Sequence, residues 1–251
     1  MEPKSKRVHL VLYRELSYFL GMSIMASSVG ILTRVGWGTP IGASLFYVLS
    51  QWQNALTMGQ WNWVIQAMAL MVIVGIVREF HWWYFVSLFT SFVYGIFLDV
   101  FQGMFHFLVL ESFGAKLAGF GVSFLALGFG LLLFMKSALP VTAYDLVVKE
   151  VVRVKKYRLG TVKTVFDLTI LSLALITSLL AFQRPVGLGA ATIMITLFTG
   201  TYMQRIDPWV SRWIVLKPLI FKEVFKLPDL DADNAPLKEN LPAGLQGKEE
   251  I

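Results

Sequence analysis

The sequence predicts an all-helical integral membrane protein, and its composition, its long apolar windows and the placement of its basic residues support that fold class. Of 251 residues, 56% are hydrophobic and 15% are charged, whereas an ordinary soluble domain carries about 25% charged residues. The mean hydropathy of +0.65 is too high for a soluble globular protein. The sequence contains no cysteine, which excludes disulfides, thiolate metal sites and cysteine nucleophiles.

Six apolar windows are long enough to cross a bilayer, which takes about 20 helical residues. Each window lacks the polar face of a soluble amphipathic helix. Because lipid offers no hydrogen-bond partner to an exposed backbone, we expect each window to be a transmembrane helix. The windows cover residues 10–34, 61–78, 82–104, 115–136, 162–182 and 187–206.

The lysines and arginines predict the orientation of these helices. Segments that hold them alternate with segments that hold almost none, and positively charged loops stay in the cytoplasm. Both termini are therefore expected in the cytoplasm, and the net charge of +6 reflects topology rather than nucleic-acid binding. The basic segments are the head at residues 1–9, the turn near Arg78, the linker 137–161 and the tail after residue 206, whereas 35–60, 105–114 and 183–186 hold only Arg184.

Two proline-led segments, residues 40–55 and 140–157, are too short to cross the bilayer. Since proline suits the first turn of a helix, we expect two extra short helices that lie in the interface or dip into the membrane. After the last span, the aromatic and basic residues of 207–227 are typical of an amphipathic interfacial helix. Residues 228–251 are rich in Pro, Asp, Glu, Asn and Gly and are expected to be disordered.

The chain contains an internal repeat. When it is shifted by one hundred residues, 21–48 aligns with 121–148 without a gap, and eight of the 28 positions are identical. We expect the repeats to cover residues 10–104 and 115–206. Each holds three spans, an odd number, so the second half enters the membrane from the opposite face, as in transporters built from inverted repeats. Further along, the repeat pairs Gly59 with Gly160, Gln66 with Asp167, Gly95 with Gly200 and Asp99 with Gln204.

Small residues recur in the first helix of each half. Small residues four positions apart let two membrane helices approach closely. We therefore expect this set to support helix packing rather than solute binding. The set comprises Gly21, Ala26, Gly30, Gly121, Ala126 and Gly130.

Several motifs accompany the repeat. The first half ends with Gly-xxx-Asp at 95–99, and the second half contains Leu-Pro-Val-Thr-Ala-Tyr-Asp at 139–145. Thr-Val-Phe-Asp-Leu follows at 164–168, and Val-Gly-Leu-Gly-Ala-Ala-Thr-Ile at 186–193. Over residues 10–206 the chain resembles the YitT/YczE/YyaS family of bacterial integral membrane proteins. The resemblance implies a multi-pass protein of the bacterial plasma membrane, with transport as the suspected activity.

Five polar residues are the candidates for solute binding, because polar side chains inside spans are costly and each indicates a function. Gln66 and Asp167 occupy matching repeat positions roughly 8 Å inside their spans. Thr142, Tyr144 and Asp145 follow the second proline at an expected helix start. Helix capping and bonds to neighbouring helices are the alternative roles of these side chains.

Catalysis has little support in the sequence. The three histidines, His9, His81 and His106, lack the spacing of metal ligands. Neither a Gly-rich phosphate loop nor a nucleophile elbow is present. We therefore expect no enzymatic activity, no metal and no cofactor.

The preferred function is a small secondary transporter in the lipid bilayer, which binds a small solute or ion between the repeats. The interior carboxylates favour a cation or coupling to protons. Two alternatives stay open, a substrate-binding subunit of an ATP-driven uptake system and a membrane scaffold or regulator without transport. Assembly into a homo-oligomer also stays open.

Overall fold

The computed structural model describes residues 10–78, 81–137, 139–157 and 159–217, which form eight helices and two short strands. The predicted basic head at 1–9 and the predicted tail at 228–251 lie outside these residues. The helices are α1 (Arg14–Val35), α2 (Ile41–Trp52), α3 (Met58–Val77), α4 (Trp83–Met104), α5 (Phe113–Lys136), α6 (Ala143–Lys155), α7 (Leu159–Phe182) and α8 (Ala190–Trp213). The strands are β1 (Leu10–Tyr13) and β2 (Ile214–Lys217).

Five of the helices, α1, α3, α4, α5 and α7, are long and apolar enough to cross a membrane. Their outer faces expose large apolar side chains, and Met71, Phe89 and Leu180 are each more than 60% exposed. A soluble protein rarely exposes apolar surface on this scale, whereas lipid covers it. The chain is therefore a helical, multi-pass membrane protein.

Local sequence sets the ends of several helices. The side chain of Thr57 accepts a hydrogen bond from the Gln60 amide, while the Gln60 side chain accepts one from the Thr57 amide. This reciprocal capping box satisfies two amides at the start of α3. Ser112 caps α5 by accepting from the amide of Ala115. Gly36 ends α1 in the left-handed region at φ 73°, where glycine has no Cβ to strain.

The short helix α6 begins inside the helix bundle. The amide of Ala143 donates to Ser91 Oγ at 2.9 Å, and the amide of Tyr144 donates to Gln66 Oε1 at 3.0 Å. Gln66 lies roughly 12 Å along α3 from its first residue, and Ser91 lies as far along α4. The start of α6 is therefore well below the ends of both long helices, so α6 dips into the bundle rather than lying on its edge.

The other short helix, α2, begins next to α6. A Cβ added to Gly42, in the first turn of α2, would lie 3.9 Å from Cζ of Tyr144. Leu45 of α2 packs with Ile170 and Ala174 of α7 in a buried apolar cluster. Both short helices thus start within the bundle and contact each other at their starts.

The helices pack in corresponding pairs. Within the described residues, α1 packs on α4 and α5 packs on α8, so the first long helix contacts the last helix of its own half. Each short helix also packs against a long helix of the other half, α2 on α7 and α6 on α3. The starts of α2 and α6 are therefore enclosed by both halves of the chain.

Helices α1 and α5 form the central antiparallel pair. Ser17 near the start of α1 donates to the carbonyl of Leu133 near the end of α5. At the opposite end, a Cβ on Gly119 would lie 3.1 Å from Val35. Between these points, a Cβ on Gly21 would lie 2.7 Å from the carbonyl oxygen of Gly130. The two backbones are thus in contact where both residues are glycine.

The other small residues of this predicted set have different surroundings. Ala26 is fully buried in the main apolar core, and Ala126 is half-buried. A Cβ on Gly30 would lie 3.0 Å from the Phe105 ring, next to α4. A Cβ on Gly121 would meet nothing within 4 Å, so the predicted role in close packing does not extend to Gly121.

Replacing Gly130 by alanine is expected to lower the free energy of unfolding by about 1–3 kcal/mol, because the added methyl overpacks the contact with Gly21. Gly121→Ala is the matched control on the same helix. It is expected to leave the stability unchanged or to raise it by up to about 1 kcal/mol, the helix-propensity gain of alanine over glycine. The melting temperatures of the purified variants in detergent measure the difference. Equal melting temperatures would contradict the packing described.

Near the end of α8 the structure differs from the sequence prediction. Residues 207–213, expected to start a separate interfacial helix, continue α8, and 214–217 form β2. The rest of that predicted helix, 218–227, lies outside the described residues. A salt bridge of 2.5 Å joins Lys136 of α5 to Asp207. This contact joins the last turns of α8 to the end of α5.

The strands β1 and β2 pair in parallel, with Leu10 opposite Ile214 and Tyr13 opposite Lys217. The predicted first span, 10–34, therefore begins with a strand, and its helix starts at Arg14. The pairing places the start of α1 and the end of α8 at the same end of the bundle.

Two glycines bring α3 and α4 into contact. A Cβ on Gly59 would overlap the carbonyl oxygen of Gly95. One turn further along α4, Asp99 accepts hydrogen bonds from the Gly59 amide at 2.7 Å and from Thr57 Oγ1 at 2.6 Å. Asp99 therefore caps the start of α3 and fastens the two helices at this point.

Candidate functional site

The five residues predicted to bind solute lie next to one another around the start of α6. Tyr144 connects two of them, since its amide donates to Gln66 Oε1 at 3.0 Å and its phenol donates to Asp167. Thr142, the residue that precedes α6, donates to Asp145 Oδ2 at 3.3 Å. Residues from α3, α6 and α7 thus meet at one place.

Lys163 of α7 joins this group. Its ammonium lies 3.2 Å from Asp167 Oδ1 and 3.7 Å from Asp145 Oδ1. The same nitrogen lies 4.4 Å from the centroid of the Tyr144 ring. We define the α6 cluster as Gln66, Thr142, Tyr144, Asp145, Lys163 and Asp167.

Sequence reasoning missed Lys163, although one signal could have found it. Lys163 and Asp167 are four residues apart, so they lie on one face of a helix and interact. A lysine near the end of a span is ordinarily explained by its reach to the membrane surface. The four-residue spacing between Lys163 and the interior carboxylate of Asp167 was a stronger indication that Lys163 belongs to the site.

The α6 cluster is charged and partly accessible. The side chains of Lys163, Asp145 and Asp167 are 42%, 39% and 22% exposed. Two carboxylates and one ammonium leave one formal negative charge. The phenol of Tyr144 donates to the Asp167 carboxylate, so Tyr144 is protonated in this arrangement.

Gln66 has a different role from the charged residues of the α6 cluster. Its Oε1 accepts from the Tyr144 amide and from Ser91 Oγ, and its Nε2 donates to Asn62 Oδ1 at 2.7 Å. Asn62 in turn donates to the Ser91 carbonyl at 2.8 Å. These side chains satisfy the free amides at the start of α6, as a helix N-terminus requires. The capping alternative therefore accounts for the contacts of Gln66, while Asp145 and Asp167 keep exposed surface.

Two cavities lie elsewhere, around the last residues of α1 and α2 and the start of α3. Their volumes are about 350 and 270 Å³, and Tyr47 lines both. Asp99, which lines the larger one, is already engaged by α3, and Arg184 is the charged residue of the smaller one. Neither cavity is lined by a residue of the α6 cluster. Each cavity is lined by one charged residue, whereas the α6 cluster contains three, so the α6 cluster is the better candidate site.

The described residues contain no group of three or more His, Asp or Glu side chains that could hold a metal ion. The charged groups of the α6 cluster alternate in sign, with Lys163 between two carboxylates. Two carboxylates on either side of one ammonium can bind another cation when the lysine is displaced.

Comparison with known proteins gives one family. Residues 12–208 match the model described as Family of unknown function (DUF6198). The chain belongs to the DUF6198 family. An uncharacterized protein, YyaS, of Bacillus subtilis (strain 168) is 24% identical over 201 residues, which cover 80% of this chain and 95% of that protein. No solved structure matches the chain. The match to YyaS confirms the YyaS part of the family resemblance predicted from the sequence.

The stretch shared with the DUF6198 model contains all six residues of the α6 cluster and every helix from α1 to α7. The cluster is therefore part of the DUF6198 region rather than of an added segment. Names of relatives give no activity for the DUF6198 chain, so its function has to be argued from the geometry of this site.

Proposed function

We propose that this DUF6198 protein is a small secondary transporter of the bacterial plasma membrane that binds a small cation at the α6 cluster. The observation that supports it is the meeting of charged side chains with the interior starts of two short helices. Transporters build their sites in this way, from interrupted helices that end near the middle of the membrane between two halves of the fold. Charged groups inside a membrane protein are energetically costly, and their presence therefore indicates a function.

The proposed topology has six spans, with α8 as the sixth. Because β1 and β2 pair side by side, the chain between them crosses the membrane an even number of times. Five helices qualify as spans by length and apolarity, and α8, with 24 residues, is long enough to supply the sixth. The basic residues of the linker 137–161 favour the cytoplasm for the strand end of the bundle.

Two inverted halves account for the packing pairs. Both halves have the order long, short, long and long helix, with a proline before each short helix. The contacts of α1 with α4 and of α2 with α7 have counterparts in α5 with α8 and in α6 with α3. The antiparallel course of α1 and α5 is the one expected if the second half enters the membrane from the opposite side.

One difference between the halves supports exchange between two conformations. Gly59 and Gly95 bring α3 and α4 together, whereas a Cβ on Gly160 or Gly200, their repeat counterparts, would meet nothing within 4 Å. In the proposed cycle, α7 and α8 come together at Gly160 and Gly200 while α3 and α4 separate at Gly59 and Gly95. The α6 cluster is then exposed to each side of the membrane in turn.

Asp167→Asn is expected to weaken cation binding about 10-fold, a loss of about 1.4 kcal/mol of binding free energy, and to reduce solute-driven current in proteoliposomes by a similar factor at concentrations below saturation. The amide cannot balance a cation, although it can still accept from Tyr144. Currents on solid-supported membranes are recorded during concentration steps of sodium, potassium, protons and methylammonium. Asp207→Asn is the matched control, since Asp207 lies outside the α6 cluster and pairs with Lys136.

An Asp145→Asn/Asp167→Asn double variant with undiminished current would contradict the proposed site. Binding of a cation without any current, together with co-purification of an ATPase, would favour the binding subunit of an uptake system. A chain that binds none of these cations and tolerates both substitutions would favour a scaffold.

A further inference from the structure

We propose that the α6 cluster takes an organic ammonium ion, and that the ammonium of Lys163 occupies the same position until the solute displaces it. The inference rests on the proposed function and names the solute class of that site. The Lys163 side chain is an alkylammonium on a tether. The groups that hold its head are the groups that would hold a free amine of similar size.

The surroundings of this ammonium suit an organic cation. Two carboxylates lie within 3.2 and 3.7 Å of the nitrogen and can accept its N–H donors. The face of the Tyr144 ring lies 4.4 Å away, and aromatic faces attract ammonium groups. Sodium, magnesium and calcium ions need a shell of oxygen ligands, and a ring face supplies none. The site therefore favours a cation that presents both N–H donors and an alkyl surface.

The matching positions of the first half carry a neutral pair of side chains. The repeat that aligns Gln66 with Asp167 also aligns Asn62 with Lys163. In α3 the neutral pair, Asn62 and Gln66, is joined by one hydrogen bond and caps the start of α6. In α7 the same two positions carry opposite charges. The charges of the second half therefore have no counterpart in the first half, and they point to a charged ligand.

The site survives the departure of Lys163. Asp167 keeps the hydrogen bond from the Tyr144 phenol, and Asp145 keeps the one from Thr142. Ion pairs of half-exposed side chains are weak, so a free amine can compete with Lys163. Release of the lysine then leaves two carboxylates and a ring face arranged around one vacant ammonium position.

Lys163→Met is the decisive variant, because it removes the internal ammonium and keeps an apolar stem. Its affinity for methylammonium, measured by calorimetry with protein in detergent, is expected to rise about 10-fold over the wild type. If the lysine leaves the site vacant for about one-tenth of the time, the apparent affinity of the wild type is about 10-fold lower than that of a permanently vacant site. Lys155→Met, on the exposed last turn of α6, is the matched control and is expected to leave the affinity unchanged.

Lys163→Gln and Tyr144→Leu extend the test if Lys163→Met does not fold. The glutamine variant also removes the charge and is expected to tighten methylammonium binding. Tyr144→Leu removes the ring face and is expected to weaken methylammonium more than sodium. Weaker methylammonium binding in both lysine variants would overturn the inference, as would sodium binding at least as tight as methylammonium in the wild type.

These measurements separate the inference from the proposed function. Binding in detergent requires no transport, so the ammonium site can hold while the proteoliposome currents are absent. Conversely, sodium or proton currents that depend on Asp167, with no methylammonium binding, would overturn the solute class and leave the transporter intact.

Discussion

Gly59→Ala is expected to lower the free energy of unfolding by about 3 kcal/mol, near the top of the range for overpacking. The added Cβ would overlap the Gly95 carbonyl oxygen and lie 2.7 Å from Cγ of Asp99. Neither neighbour can give way easily, since one is backbone and the other is held by hydrogen bonds to Gly59 and Thr57. For a chain of this length the loss corresponds to a fall of roughly 6–12 °C in Tm.

Gly160→Ala is the matched control, because the internal repeat aligns Gly160 with Gly59. A Cβ at Gly160 would meet nothing within 4 Å, and alanine is the better helix former. The control is therefore expected to keep or slightly raise the Tm. Thermal unfolding of both purified variants in detergent gives the comparison, and a similar fall in both would show that α7 is packed as tightly as α3.

This pair of glycines shows what the sequence could predict of the fold and what it could not. Apolar length predicts the five long apolar helices that the structure contains, and the prolines at 40 and 140 predict where the short helices start along the chain. Neither feature predicts depth. The interior start of α6 depends on hydrogen bonds to Gln66 and Ser91, which come from helices far away in the sequence.

The candidate site was predictable to a similar extent. Polar residues within or beside apolar windows are few, so Asp167 and Asp145 stand out as costly, and the structure brings them together through Lys163. The capping role of Gln66 was not predictable from the sequence, because its partner is the Tyr144 backbone amide of α6, whose position only the tertiary structure gives. Gly59 and Gly160 likewise align in the sequence, yet α3 is packed at its glycine and α7 is open at its own.

Leucine at both Gly160 and Gly200 is expected to abolish transport while leaving folding and cation binding intact. Neither glycine has a neighbour within 4 Å of an added Cβ, so the added side chains begin in open space in the present conformation. In the proposed exchange, α7 and α8 must approach as closely as α3 and α4 do at Gly59 and Gly95. That contact leaves no room for even one methyl group, so two leucines block it.

Gly75→Leu is the matched control, since Gly75 lies in α3, also has nothing within 4 Å of an added Cβ, and belongs to neither glycine pair. Three measurements on each variant give the answer: Tm in detergent, methylammonium affinity and current in proteoliposomes. We expect the double variant to keep the first two and lose the third, and the control to keep all three. Undiminished current in the double variant would mean that α7 and α8 never close on each other, and exchange between the two halves would then have to proceed by another movement.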